Sequence, residues 1–374
     1  MKCKKILTAL LAAACTMSGC HGDLDIMQDN KLSASNMWID ESDAETATYG
    51  IYLYMRDALK SVHDIYLCWG EFRNGLWGAG TNKTLSGVDQ TQVRTSTMSS
   101  SNAYADWSVM YKTVNQANLI LKHVPEMGIS ESVRNFSLGN AYFSRAWCYF
   151  WIARIWGDAP LALTGYESTA GDLYLPRAPK AEIFARIESD LTEAERYVTD
   201  NSDKAVATPA AVQMLKADYA LWMYRVAGGG SSYLTMAEEA IETLNLSASR
   251  LESDYAQVFS SANKLNKEVI FAVHQANGEA VNGPGYYLGW NSNYVEAAYQ
   301  NNPVPITGGN QWWWYTDRYK ALLTSVEGDT RTKLTYNRAD YGTTIKSIEW
   351  TEKGVGQMIS GARIFDSDFI LYRY

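Results

Sequence analysis

The amino-acid sequence predicts a mainly α chain, a tetratricopeptide-like scaffold of paired helices carrying a loop-rich, aromatic-rich insert and few short strands. Three observations lead there. Six segments between residues 44 and 244 read as helices, several of them repeating apolar side chains at i, i+3, i+4 and i+7, the spacing of one helix face. Glycine and proline open or end several of them, so successive helices are joined by short turns. After residue 264 the helical period gives way to Gly, Asn, Pro and clustered aromatics.

The N-terminus reads as an export signal. Lys2, Lys4 and Lys5 precede an apolar run from Ile6 to Met17, and Ser18-Gly19-Cys20 follows. The run is shorter than the roughly 20 helical residues that span a bilayer. Its small-small-Cys end resembles the bacterial lipobox, in which the cysteine is acylated and becomes the new N-terminus. Residues 1–19 are therefore expected to be a signal peptide, Cys20 the lipidated residue and 20–45 a polar tether. No other run approaches membrane-spanning length, so the expected anchor is lipid alone.

The body begins with a helix from Ala44 to Leu59, marked by Ala47, Ile51, Tyr54, Met55 and Ala58. Gly70, Gly75, Gly78 and Gly80 then break the pattern, and 64–103 reads as a long loop region with at most a short strand. Trp107, Met110, Tyr111, Val114, Ala117, Asn118 and Leu121 stripe the second helix. The third, Glu131 to Trp156, is apolar nearly all round and so expected at the centre; Gly157-Asp158-Ala159-Pro160 ends it. Pro179 opens a fourth with Ile183, Ile187, Leu191, Ala194 and Val198 on one face. A fifth runs from Pro209 to Val226, stopped by Gly228-Gly229-Gly230, and a sixth from Tyr233 to Leu244. Beyond them, Glu268 to His274 reads as a strand, 276–315 as an irregular insert, Asp317 to Leu323 as a short helix, and 328–374 as strand-like pieces.

Composition narrows the function. A net charge of -8 argues against nucleic acid as a partner. The chain holds 13 Trp and 25 Tyr against nine Phe, an excess of aromatics with a polar edge suited to half-wet surfaces. Sugar rings, with flat C–H faces and a hydroxyl rim, are their natural complement. Once the signal and Cys20 are set aside, Cys68 and Cys148 remain, more simply read as buried thiols than as a disulfide. His21, His63, His123 and His274 are scattered, and neither metal nor cofactor is expected. No G-x-S-x-G or H-E-x-x-H occurs, and no catalytic residue stands out.

Three motifs carry a family resemblance. They are Trp107-Ser-Val-Met-Tyr111-Lys-Thr-Val-Asn115-Gln-Ala-Asn118, Ala141-Tyr-Phe-Ser-Arg145-Ala146-Trp147-Cys-Tyr149-Phe150, and Trp156-Gly157-Asp158-Ala159-Pro160-Leu161. Pro176-Arg177, Asp190-Leu191 and Thr208-Pro209-Ala210-Ala211 follow in order. Together they resemble the SusD/RagB outer-membrane lipoproteins of Bacteroidetes. The early acids Asp23 and Asp25 resemble that group's surface-export tag. The resemblance implies a non-enzymatic surface protein that binds a nutrient glycan and delivers it to a SusC-type TonB-dependent transporter. It implies one SusD-like domain over 46–374, with a helical scaffold to about 260 and a ligand-binding part from about 264. Asp368-Phe-Ile-Leu-Tyr-Arg373-Tyr374 resembles the opening of a family helix, so the final helices are expected to be missing. The alternatives are a peptide-binding RagB-type member and a lipid-anchored glycoside hydrolase working with two carboxylates.

Two stretches are candidates for ligand contact. In the first, Trp69, Glu71, Arg73, Asn74 and Trp77 place two indoles, a carboxylate, a guanidinium and an amide in a glycine-broken loop. Flanking glycine favours Trp77 as exposed. The second holds Tyr286, Tyr287, Trp290, Trp312, Trp313 and Trp314. In an extended chain Trp312 and Trp314 share one face and Trp313 the other, so at least one is expected at water or an interface. The competing reading of both stretches is structural: the aromatics seat the insert on the helices.

Overall fold

A computed structural model describes residues 37–61, 65–80, 88–169, 173–276, 278–279, 282–308, 311 and 313–374. The expectations for the signal peptide, Cys20, His21, His63 and Trp312 lie outside these residues. Asp40–Tyr374 make up one unit of the chain. Among the described residues no helix is long and apolar enough to cross a membrane.

The fold is mainly α with few short strands. The helices are α1 (Glu41–Lys60), α2 (Ile65–Gly70), α3 (Val88–Thr95), α4 (Ser108–His123), α5 (Glu131–Trp156), α6 (Lys180–Tyr197), α7 (Pro209–Arg225), α8 (Ser231–Glu242), α9 (Tyr255–Val258), α10 (Asp317–Leu323) and α11 (Thr330–Thr335). The apolar stripes of the sequence are the buried faces. Helix α1 begins at a capping box, with Asp43 N–H donating to Asp40 Oδ1 at 3.1 Å and Asp40 N–H to Asp43 Oδ2 at 3.3 Å. It thus starts within the stretch expected to be tether. The region expected as a long loop is more ordered than its glycines suggested, because α2, α3 and a strand, β1 (Trp77–Ala79), lie within it.

Helix α5 is the hub, packed against α1 and α4 on one side and α6 on the other, while α7 pairs with α8. Gly139 permits the close approach to the end of α6: a Cβ there would lie 2.7 Å from Val198 Cγ2 and 3.1 Å from its backbone nitrogen. The motif residues Asn118, Arg145 and Asp190 turn out to be one buried polar knot. Arg145 donates to both Asp190 oxygens from Nε (2.8 Å) and Nη2 (2.7 Å), and from Nη1 to Asn118 Oδ1 (2.7 Å). Asn118 Nδ2 passes the bond on to the Ala162 carbonyl at 3.0 Å. A second knot joins α1 and α5 to the segment before α7: Tyr52 OH donates to Asn140 Oδ1, and Ala207 N–H reaches both.

The remaining strands are β2 (Ala159–Pro160), β3 (Arg177–Ala178), β4 (Val269–Val273), β5 (Trp313–Tyr315), β6 (Asn337–Ala339), β7 (Ile348–Trp350), β8 (Gln357–Ile359), β9 (Ala362–Ile364) and β10 (Phe369–Arg373), joined in two-stranded antiparallel pairs. Strand β4 is buried throughout. Its Phe271 meets Phe143 of α5 edge-on at 5.1 Å. The segment expected to open a helix at Asp368 is instead β10, paired with β4, because its Phe369 and Ile370 lie beside Val273 and Ala272. Cys68 and Cys148 are buried thiols, as read from the sequence, and burial pushes the Cys148 thiol well up from its ordinary value.

Candidate functional site

The two aromatic stretches singled out in the sequence meet. Strand β1 pairs with β5 in the register Trp77 to Tyr315, Gly78 to Trp314 and Ala79 to Trp313. The result is an aromatic core, with Phe72, Trp77, Tyr104, Trp313, Trp314 and Tyr315 buried together. A second cluster gathers Trp290, Val295, Val304, Ile348 and Trp350. Glu349, between them in space, ties the two. Its carboxylate accepts from Trp314 Nε1 (2.7 Å), Lys320 Nζ (3.1 Å) and Tyr336 OH (3.0 Å), and its carbonyl accepts from Trp290 Nε1 (2.7 Å). Burial first and the Glu349 charge second push the Tyr336 hydroxyl up to about 12.

This overturns the expectation that Trp77 is exposed. Trp77 is only 7% exposed, despite its glycine neighbour, because Tyr315 and Phe72 close on its ring at 4.8 and 5.7 Å. Trp290, Trp313 and Trp314 are all buried. Two of these indoles have their N–H satisfied inside by Glu349, which removes the reason for the polar edge to seek water. Trp313 lies over Phe72 at 4.2 Å. Trp69 is half-buried between helices, donating from Nε1 to the Tyr104 carbonyl at 3.1 Å and meeting Trp156 edge-on at 4.8 Å. Tyr286 and Tyr287 are half-buried and edge-on to each other at 4.9 Å.

The polar members of the first stretch do face water. Glu71, Arg73 and Asn74 are exposed. Asn74 Nδ2 donates to Glu71 Oε2 at 2.7 Å, while its Oδ1 accepts from Leu76 N–H at 2.8 Å, fixing the turn and the carboxylate together.

Beside this turn opens a cleft of about 370 Å³. Tyr66 of α2, Glu71, the edge of Trp77, Tyr315 and Tyr319 of α10 form one side, and Phe259, Lys264, Lys353 and Asp368 come from the later part of the chain. The size and the apolar walls with a few polar groups suit a small ligand or the end of an oligomer. Within it, Lys264 Nζ is held by Asp366 (3.0 Å) and by the Gln275 carbonyl (2.6 Å). Asp368 Oδ1 accepts from Gln275 N–H at 2.9 Å and lies 3.0 Å from His274 Nδ1. That carboxylate pushes the His274 imidazole up from its ordinary value. Burial, and next the Glu71 charge, push the Tyr319 phenol up, so it stays a hydroxyl donor. Of the sequence candidates only Glu71 and Trp77 line this cleft. Lys264, Lys353 and Asp368 escaped the sequence reading because each lies in an aperiodic segment that matches no site motif. Among the described residues no group of three or more His, Cys, Asp or Glu is placed to hold a metal ion.

Known proteins share this architecture. Residues 79–222 match the family model described as SusD-like, "Starch-binding associating with outer membrane". A solved SusD superfamily protein from Bacteroides fragilis superposes with a TM-score of 0.74 at 26% identity, over 90% of this chain and 72% of that one. The chain resembles the SusD superfamily in sequence over residues 79–222 and in fold over most of its length. Bacteroides fragilis NanU is similar to the same degree, with a TM-score of 0.74 and 26% identity over 92% of this chain and 74% of its own. A SusD-like protein of Formosa agariphila is 26% identical over 190 residues, 51% of this chain and 36% of its length. A SusD-like protein of Bacteroides ovatus is 26% identical over 174 residues, 45% of this chain and 32% of that protein. The chain thus matches about a third of the length of these curated relatives. The SusD match covers the motif knot of α4, α5 and α6, and the name of the matching family carries glycan binding and association with the outer membrane.

Proposed function

We propose that the protein is a non-catalytic surface receptor that captures a nutrient glycan in the cleft and passes it to a SusC-type TonB-dependent transporter. The observation that carries this is the cleft itself, where aromatic rings and fixed hydrogen-bonding groups from α2, β1, β5 and α10 converge. Glu71, held by Asn74, stands at its polar lip, and the buried tryptophans are the scaffold that holds that lip in place. Lipid on Cys20 tethers residues 20–45 to the outer leaflet, with the SusD-like domain over 46–374 facing the medium. A tether keeps the receptor at high local concentration beside its transporter, so modest affinity suffices. The matching family, starch-binding and associated with the outer membrane, supports the glycan and the membrane.

The test is affinity electrophoresis through gels cast with a range of polysaccharides, followed by calorimetry on those that retard the protein. Wild type is expected to be retarded by at least one, and Glu71→Ala with Tyr319→Ala to lose most of that retardation while remaining folded. Lack of retardation by every polysaccharide would sink the proposal. Transporter delivery is checked by co-purification from outer membranes, and Cys20→Ala is expected to release the protein from the cell.

A further inference from the structure

We infer that the cleft selects a glycan carrying an anionic substituent, a carboxylate or a sulfate, and that Lys353 is the residue that reads it. This rests on the cleft being a glycan site. Four charged side chains line it: Glu71, Lys264, Lys353 and Asp368. Two already face an ionisable partner, and the third is exposed to water. Lys264 is ion-paired with Asp366 at 3.0 Å, Asp368 has His274 and a backbone N–H, and Glu71 sits at the exposed lip with Asn74 on its Oε2 at 2.7 Å.

Lys353 differs. Among the described residues it forms no ion pair. Its Nζ reaches the Tyr255 hydroxyl at 3.4 Å and lies 4.2 Å from the centre of the Phe259 ring. These contacts hold the ammonium in place without neutralising it. An ammonium carries three donor protons, so the single hydroxyl leaves it with unused capacity. A compact point charge of this kind accepts a carboxylate or a sulfate with little demand on orientation. In a partly desolvated cleft the attraction is several times stronger than in open water. The chain's net charge of -8 gives no long-range pull on a polyanion, so discrimination falls to this short-range contact.

The experiment uses an array of matched oligosaccharide pairs on the whole protein. Uronate oligomers are set against their carboxyl-reduced forms, and sulfated oligomers against their desulfated forms, at low salt. At least one charged form is expected to bind tenfold or more tighter than its neutral twin, and which pair shows it names the substituent. Lys353→Met should abolish the advantage of the charged form over its neutral twin. Lys353→Arg should keep a measurable preference. Equal binding within every pair, or equal loss on all ligands in Lys353→Met, overturns the inference while glycan capture stands. If no oligosaccharide binds, both fall.

Discussion

Breaking the Arg145–Asp190 pair should unfold a large part of this protein's margin of stability. The two side chains are 6% and 0% exposed, and the pair is bidentate. Asp190→Ala leaves a guanidinium in a dry interior with Asn118 Oδ1 as its one remaining close partner from the knot. Removing one partner of a buried pair costs about 3–5 kcal/mol, because the survivor loses its countercharge and cannot recover its water. That is between about a fifth and all of a typical folding free energy of about 5–15 kcal/mol. The double variant Arg145→Met with Asp190→Leu removes the stranded charge and should recover most of the loss. Urea unfolding followed by tryptophan fluorescence measures both, with slopes compared to confirm a single transition. A loss below about 1 kcal/mol for Asp190→Ala, or a double variant no better than the single, would refute the account of the knot.

Other expectations follow from the same geometry. Gly139→Ala should cost about 1–3 kcal/mol in the same unfolding assay, since its Cβ would meet Val198 at 2.7 Å and force α5 and α6 apart. The raised His274 value means that protonated imidazole is favoured by the fold through Asp368. Its contribution is therefore full below the unfolded value of about 6.5 and fades as pH rises through the higher folded value. Melting temperature should fall over that interval, and His274→Gln should flatten the fall. Reductant should leave the melting temperature unchanged, and thiol titration should find Cys68 and Cys148 unreactive until denaturant is added. Glu349→Ala strands the Trp314 N–H and leaves Lys320 with Asp317 alone, so both aromatic clusters should loosen, read as a red shift in tryptophan emission.

The sequence alone determined the helical frame. A stripe such as Ile183, Ile187, Leu191 and Ala194 has one way to bury itself, and Pro209 or Gly157 marks an end by backbone constraint that holds in any surroundings. The order of motifs around Asn118, Arg145 and Asp190 likewise pointed to the SusD family before the three were seen to touch. Tertiary structure decided the rest. Whether an indole is wet depends on whether its N–H finds an acceptor inside, and for Trp314 that acceptor is Glu349, 35 positions along the chain. Strand β10 resembles the opening of a helix in isolation, and β4 supplies the partner that makes it a strand. The cleft's charges are the sharpest case. Lys264 and Lys353 are equal as letters, yet Asp366 spends the first and an aromatic seat leaves the second free, because pairing is settled by residues about 100 positions away from Lys264 and Lys353 alike.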